Sequence, residues 1–243
     1  RGKRTSVAPI VHIDIDDASI NKLTGRWPWP RGYHAKLVNT LKECGAKYVL
    51  FDVLFTEKEQ GAAQEDVIFA DAILKTGIVY LPFYFAEGRT PPAPELHRLL
   101  LQDITMSIND IAAALNADVE ALKDKLIPAK KYVMDEVLNE VVRANPDISL
   151  EELFLELENS RSWYLFPAEE TYIKESFPNH KSTRFFVNKF FVNFSGQGNE
   201  ILKEYKVLNV PIKEYLQGIK GSGYINAKPD SDGVMRRVPL LIR

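Results

Sequence analysis

The apolar positions of this chain fall into three regimes. From Val7 to Ile15 (Val-Ala-Pro-Ile-Val-His-Ile-Asp-Ile) they run almost unbroken, as in a strand buried on both faces. A helical period follows. Pro30 suits a first helical position, Leu37, Val38, Leu41 and Cys44 recur at helical spacing, and Gly45 stands where a helix ends. Ala46–Phe55 is a second apolar run. Strand, helix and strand of this length predict a βαβ unit with parallel strands. The pattern continues with a helix over Gln64–Lys75, a stop at Gly77 and a third strand over Ile78–Ala86, until Arg89-Thr-Pro-Pro-Ala-Pro94 interrupts it.

Residues 95–160 change to leucine, alanine and charged residues at helical spacing. Ser107-x-x-Asp110 and Ser149-x-x-Glu152 resemble capping boxes. Helices are predicted near 95–103, 107–126, 130–144 and 149–160. The apolar run Phe185–Phe194 then reads as a strand, Ser195–Asn199 as a turn, and 211–218 as a short helix. Gly223–Ala227 and Met235–Ile242 are paired strand candidates joined by Pro229-Asp-Ser-Asp-Gly233, with Asp-Gly as the hairpin signal. The expected fold is therefore α/β, with a mainly parallel central sheet flanked by helices, an α-helical insertion and a C-terminal β-hairpin. Residues 1–94 and 186–243 form the expected core and 95–185 the insertion.

Charge sharpens that division. Residues 95–162 hold 7 basic and 14 acidic groups, a block charge of −7, whereas residues 1–94 hold 12 and 11 and residues 163–243 hold 12 and 8. The whole chain, at −2, carries no basic footprint for nucleic acid, and an acidic block makes the faintly helix-turn-helix-like Ile111–Asn116 a poor DNA reader. No window reaches the roughly 18 uninterrupted apolar residues of a membrane span. The chain starts on Arg1-Gly2-Lys3-Arg4 and stops on a strand-like run, so an excised piece of a longer polypeptide is expected. The single cysteine, Cys44, excludes an internal disulfide, leaves the compartment open, and is expected to be buried.

Three constellations could carry chemistry. In His12-Ile-Asp14-Ile-Asp16-Asp17, Asp14 and Asp16 share one face of an extended segment, at the strand end where α/β folds place ligands. Asp52 holds the matching end of the second strand. Such carboxylates attract a hard divalent cation, which makes Asp14, Asp16 and Asp52 candidate metal ligands. The competing reading has Asp16 or Asp17 capping the Ala18–Leu23 turn, with Asp14 and Asp52 accepting loop amide hydrogens or paired to Arg26, Arg31 or Arg236. The second constellation is Trp27-Pro28-Trp29-Pro30-Arg31 with His34 one turn on. Its tryptophans either stack on a planar or sugar-like ligand or pack beneath the arginines, and His34 reads as a helix-face hydrogen-bonder. The third is Asp230-Ser-Asp232-Gly233 followed by Arg236 and Arg237. It resembles part of a calcium loop, but the position of the closing glutamate holds Leu241, so a turn with an arginine folded onto an acidic cluster is expected instead. Gly196-x-Gly198 lacks a third glycine, no Gly-x-Ser-x-Gly is present, and the four histidines at 12, 34, 97 and 180 have no zinc spacing with Cys44.

Taken together, Val11–Ser19 with Gly25–Arg31, His34–Leu37 through Gly45–Phe55, and Gly223–Leu241 resemble the CHASE2 sensory domain, the extracytoplasmic input module of bacterial membrane receptors. The resemblance covers roughly residues 7–86 and 211–243. It implies an extracytoplasmic (periplasmic or cell-surface) part of an inner- or plasma-membrane protein, tethered through flanking spans. The output it implies is cytoplasmic: an adenylate or guanylate cyclase, a histidine kinase of a two-component system, a serine/threonine kinase or a diguanylate cyclase. It also implies a homodimer in the full-length receptor, an unidentified small-molecule or envelope signal, no nucleic-acid partner and no cofactor beyond a possible divalent cation. Two departures stand out: the acidic block 95–185 has no counterpart in the common pattern, and the pattern normally runs on past Arg243, which implies an open sheet edge.

The leading expectation is thus a non-enzymatic sensor, in which Asp14, Asp16, Asp17, Trp27, Trp29, Arg31, His34, Asp52, Asp230, Asp232, Arg236 and Arg237 form a ligand-binding or structural rim. The alternative is a magnesium-dependent phosphatase of haloacid-dehalogenase type, with Asp14 as nucleophile and Asp16 as acid/base. Asp17-Ala18-Ser19 departs from that family's motif. A third reading makes the helical block a docking or dimerisation surface.

Overall fold

A computed structural model describes residues 10–86, 89–190 and 207–224. Among these residues the chain is mixed α/β, with nine helices and a small mixed sheet. Helices α1 (Asp17–Leu23) and α2 (Arg31–Glu43) precede strand β1 (Val49–Leu50). Helix α3 (Ala63–Thr76) leads into β2 (Val79–Ala86). Helices α4 (Pro94–Gln102), α5 (Ile108–Leu115), α6 (Val119–Ala144), α7 (Leu150–Arg161) and α8 (Pro167–Phe190) follow, then β3 (Val207–Asn209), α9 (Lys213–Leu216) and β4 (Gly221–Tyr224).

The expected mainly parallel central sheet is replaced by four short strands gathered on β2. β1 and β4 pair with β2 in parallel (Val49 opposite Val79, Tyr80 opposite Gly221), and β3 pairs with it antiparallel (Phe85 opposite Leu208). The first expected strand is not formed over residues 10–15. Ile10, Val11 and Ile13 are exposed there, and the two residues of β1 have their ladder with β2. The second expected strand contracts to Val49–Leu50, yet its period of two survives. Val49 and Phe55 are buried and Phe51 and Val53 pack on the core, while Leu50 is 75% exposed.

Helix ends follow local chemistry. Past α2, Gly45 adopts φ 87°, and the amides of Gly45 and Ala46 donate to Lys42 and Leu41 oxygens at 3.0 and 2.9 Å. This closing turn carries Cys44 off the apolar stripe of Arg31, His34, Ala35 and Val38, so the thiol expected to be buried is exposed. The helices expected at 107–126 and 130–144 are divided elsewhere. Asn116 is left-handed (φ 48°) and Asp118 caps α6 by accepting from Glu120 N–H, so the break lies at 116–118, and Pro128 sits inside α6. Ser149 and Glu152 form the complete capping box.

The largest departure is Phe185–Phe194. Residues 185–190 belong to α8, and 191–194 lie outside the described residues, as do Ser195–Asn199 and most of the C-terminal hairpin. Burial explains the helix. Ile173, Phe177, Ser182 and Phe186 form one helical stripe, and Phe186 stacks on Phe83 at 5.1 Å and on Phe190 at 4.9 Å. Tertiary packing overrides the β propensity of the run.

Two hydrophobic clusters result. One joins α2, α3, α9, strands β1 to β3 and Phe186. The other joins α4–α7 with Ile173 and Phe177 of α8. Helix α8 therefore contributes side chains to both.

Candidate functional site

The aromatic loop and the start of α2 come together as one site. After α1 the chain turns at Gly25, and Thr24 Oγ1 donates to Arg26 O at 2.7 Å. Trp27 then stands 45% exposed while Trp29 is buried, their rings 5.8 Å apart at 65°. Beneath them lies His34, fully buried. Its ring is 6.2 Å from Trp27, 6.0 Å from Trp29, 5.9 Å from Phe51, 5.1 Å from Phe55 and 5.7 Å from Phe69. The helix-face hydrogen bond expected of His34 is not made: neither ring nitrogen has a hydrogen-bond partner, nor does Trp29 Nε1. Burial pushes the imidazole down to about 4, and the positive charge of Arg31 adds to the effect.

Arg31, the first residue of α2, is buried and ion-paired, and its Nε makes no hydrogen bond. Nη2 donates to Glu57 O at 3.1 Å, and Nε lies 3.5 Å from Asp66 Oδ1 and 3.7 Å from Glu59 Oε2. Its guanidinium sits 4.8 Å above the Phe55 ring, so the arginine stacks on a phenylalanine, not on the tryptophans. Asp66 in turn accepts the Glu59 amide at 2.8 Å and the Tyr215 hydroxyl. Burial, then the hydrogen bond to Asp66, pushes the Tyr215 hydroxyl well above its usual value. Next to Arg31, the Gly32 amide donates to Glu65 Oε2 at 2.6 Å, which occupies one of the free amides at the start of α2. A Cβ on Gly32 would stand 2.7 Å from that oxygen. Asp66, Glu59, Glu65 and Tyr215 escaped the sequence reading. Asp66 had a signal: it shares the stripe of Phe69, Ile73 and Thr76, and an aspartate on an apolar stripe needs a cation.

The acidic constellation is dispersed. Asp14 is exposed on irregular backbone, so Asp14 and Asp16 have no common strand face. Asp16 caps α1, accepting from Ser19 Oγ at 2.5 Å and Ser19 N–H at 2.8 Å, and these bonds hold its carboxyl below the usual range. Asp17 is the first residue of α1 and Asp52 is exposed after β1. Arg31 is paired with Asp66 and Glu59, not with Asp14 or Asp52. Among the described residues no group of three His, Cys, Asp or Glu is placed to hold a metal ion. The phosphatase alternative is unsupported, since the strand that would carry its nucleophile is not formed over residues 10–15. Asp230, Asp232, Arg236 and Arg237 lie outside the described residues.

The arrangement is therefore a braced corner under an aromatic cover, in which Arg31 Nε, Trp29 Nε1 and both ring nitrogens of His34 make no hydrogen bond. The model of one protein family, the CHASE2 domain, matches residues 1–243. The chain belongs to the CHASE2 family. CHASE2 domains are extracellular sensory, non-catalytic domains. The match takes in the acidic helical block 95–185 as well as the flanks that first carried the resemblance. No curated protein and no solved structure matches the CHASE2 chain. Among its described residues no helix is long and apolar enough to cross a membrane.

Proposed function

We propose that this CHASE2 domain is the non-enzymatic, extracytoplasmic input of a membrane-anchored receptor. In this reading a small molecule or a state of the envelope shifts the domain between two conformations, and the shift biases a cytoplasmic cyclase or kinase in the same polypeptide. Family membership across the whole chain carries the reading. The geometry supports a specific input corner, where Trp27 is half-exposed over a buried histidine while Arg31 ties α2, α3 and α9 together. The helical block is then an insertion into the core and serves as a docking or dimerisation surface, and the receptor works as a homodimer.

The test is output from the intact receptor. Trp27→Ala, at a half-exposed position, is expected to leave the melting temperature within a few degrees and to alter basal or stimulated cyclase or kinase output severalfold. Unchanged output from a folded Trp27→Ala receptor, together with unchanged output after deletion of residues 10–224, would refute the reading.

A further inference from the structure

We propose that His34 and the Trp27–Pro30 loop form an acid-released latch, in which protonation of His34 lifts the loop from the core and uncovers the aromatic box beneath it. The proposal rests on the sensor reading only for its biological use, because the switch itself is a property of this domain.

The geometry gives the imidazolium nowhere to be stable. His34 is fully buried, both ring nitrogens lack partners, and the rings facing it are Trp27 and Trp29 from the loop, Phe51 and Phe55 from the segment after β1, and Phe69 from α3. The charged neighbours offer no relief. Arg31, on the same helix, is positive. The carboxylates of Asp66 on α3 and of Glu59 lie against Arg31, Asp66 also holds the Tyr215 hydroxyl of α9, and Glu65 holds the Gly32 amide. None of these reaches His34. A proton on the ring thus places a second positive charge beside Arg31 in an apolar box, unless the cover moves and water enters.

The cover is the part built to move. Trp27 already meets solvent and touches Trp29 and His34 edge-on, whereas Phe55 and Phe69 are fully buried in the core cluster. The sign follows from the two states. With the loop closed, the ring titrates near 4; with it open, near the ordinary value of about 6.5. The closed form binds fewer protons, so it is favoured at neutral pH and is progressively lost as pH falls from about 6.5 towards 4. On those values the open-to-closed ratio rises about 20-fold between pH 7 and pH 5. Phe55, a floor of the box, also accepts the Ile212 amide at 3.0 Å, which connects the latch to α9.

The test uses Trp163→Phe protein, whose emission comes from Trp27 and Trp29 alone. Acrylamide quenching is expected to rise at least twofold from pH 7 to pH 4.5 with far-UV helix content unchanged, and His34→Phe is expected to flatten that rise. Histidine NMR supplies a variant-free check: one of the four imidazoles should titrate well below the others, and Trp27→Ala should move its midpoint up by at least one pH unit. Flat quenching in the parent protein, an unaltered rise in His34→Phe, an ordinary midpoint for His34, or loss of helix in step with the quenching would each overturn the latch. None of these outcomes depends on receptor output, so the latch and the sensor reading fail separately.

Discussion

At Arg31 a full charge is held away from water by three oxygens, and the partners differ in how much they matter. Asp66 carries the opposing charge and is itself buried. Replacing it with alanine strands the guanidinium, a loss of about 3–5 kcal/mol in urea denaturation. Tyr215→Phe removes one hydrogen bond to a carboxylate that keeps its other partners, and about 1.5–3 kcal/mol is expected. Asp16→Ala should behave differently: it uncaps α1, a helix with no buried residue, so local exchange at Ser19 quickens while the global midpoint stays put. The sequence made Arg31, His34 and both loop tryptophans visible, because two tryptophans, each followed by a proline, are rare in an ordinary surface loop. It could not show which acid Arg31 meets. Asp66 lies 35 positions away, and its pairing depends on α3 docking against α2, a tertiary fact with no local trace. Asp14 and Asp16 misled for the converse reason. Their alternation has meaning only on a strand, and the two cap bonds from Ser19 are enough to use Asp16 otherwise.

Among the elements, α8 and the α3–α9 contact show what decides structure when propensity is ambiguous. Phe186→Ala removes a fully buried ring from between Phe83 and Phe190, and a loss of about 3–5 kcal/mol is expected by chemical denaturation. At Gly218 the constraint is steric. A Cβ there would stand 2.8 Å from the Leu74 backbone, so Gly218→Ala must push α9 off α3, at about 1–3 kcal/mol in the same assay. Helices α3, α4 and α7 were legible because capping residues and left-handed stops are short-range signals. Their bounds were foreseen to within a residue or two, with Gly77 marking the end of α3 and Ser149 the start of α7. The stretch 185–190 was not legible. Its dense phenylalanines satisfy either a strand or a helix, and the arbiter is Phe83 on β2, about a hundred residues upstream.

Over the whole molecule the two hydrophobic clusters differ in make-up. One is built on strands and aromatic rings. The other contains no strand residue, is drawn from the acidic block, and holds Trp163. Charge and periodicity announced that contrast in advance. They did not announce the mixed sheet, in which β3 runs antiparallel to β2. Since α8 places Ile173 and Phe177 in one cluster and Phe186 in the other, the clusters should unfold together. Urea transitions followed by Trp163 emission in a Trp27→Phe, Trp29→Phe background and by far-UV signal are expected to coincide. Separate midpoints would show that the continuous helix does not couple them.

Cys44 gives this molecule a practical asset. It is the chain's single thiol, it is exposed, and it closes the helix that bears Arg31 and His34 at its other end. One spin label or fluorophore per chain can therefore be attached without mutagenesis, just beyond the last turn of the helix that holds the acid-sensitive histidine. In a paired receptor two such labels form a molecular ruler, and dipolar spectroscopy between them would report how far the two α2 helices move when the surroundings turn acid.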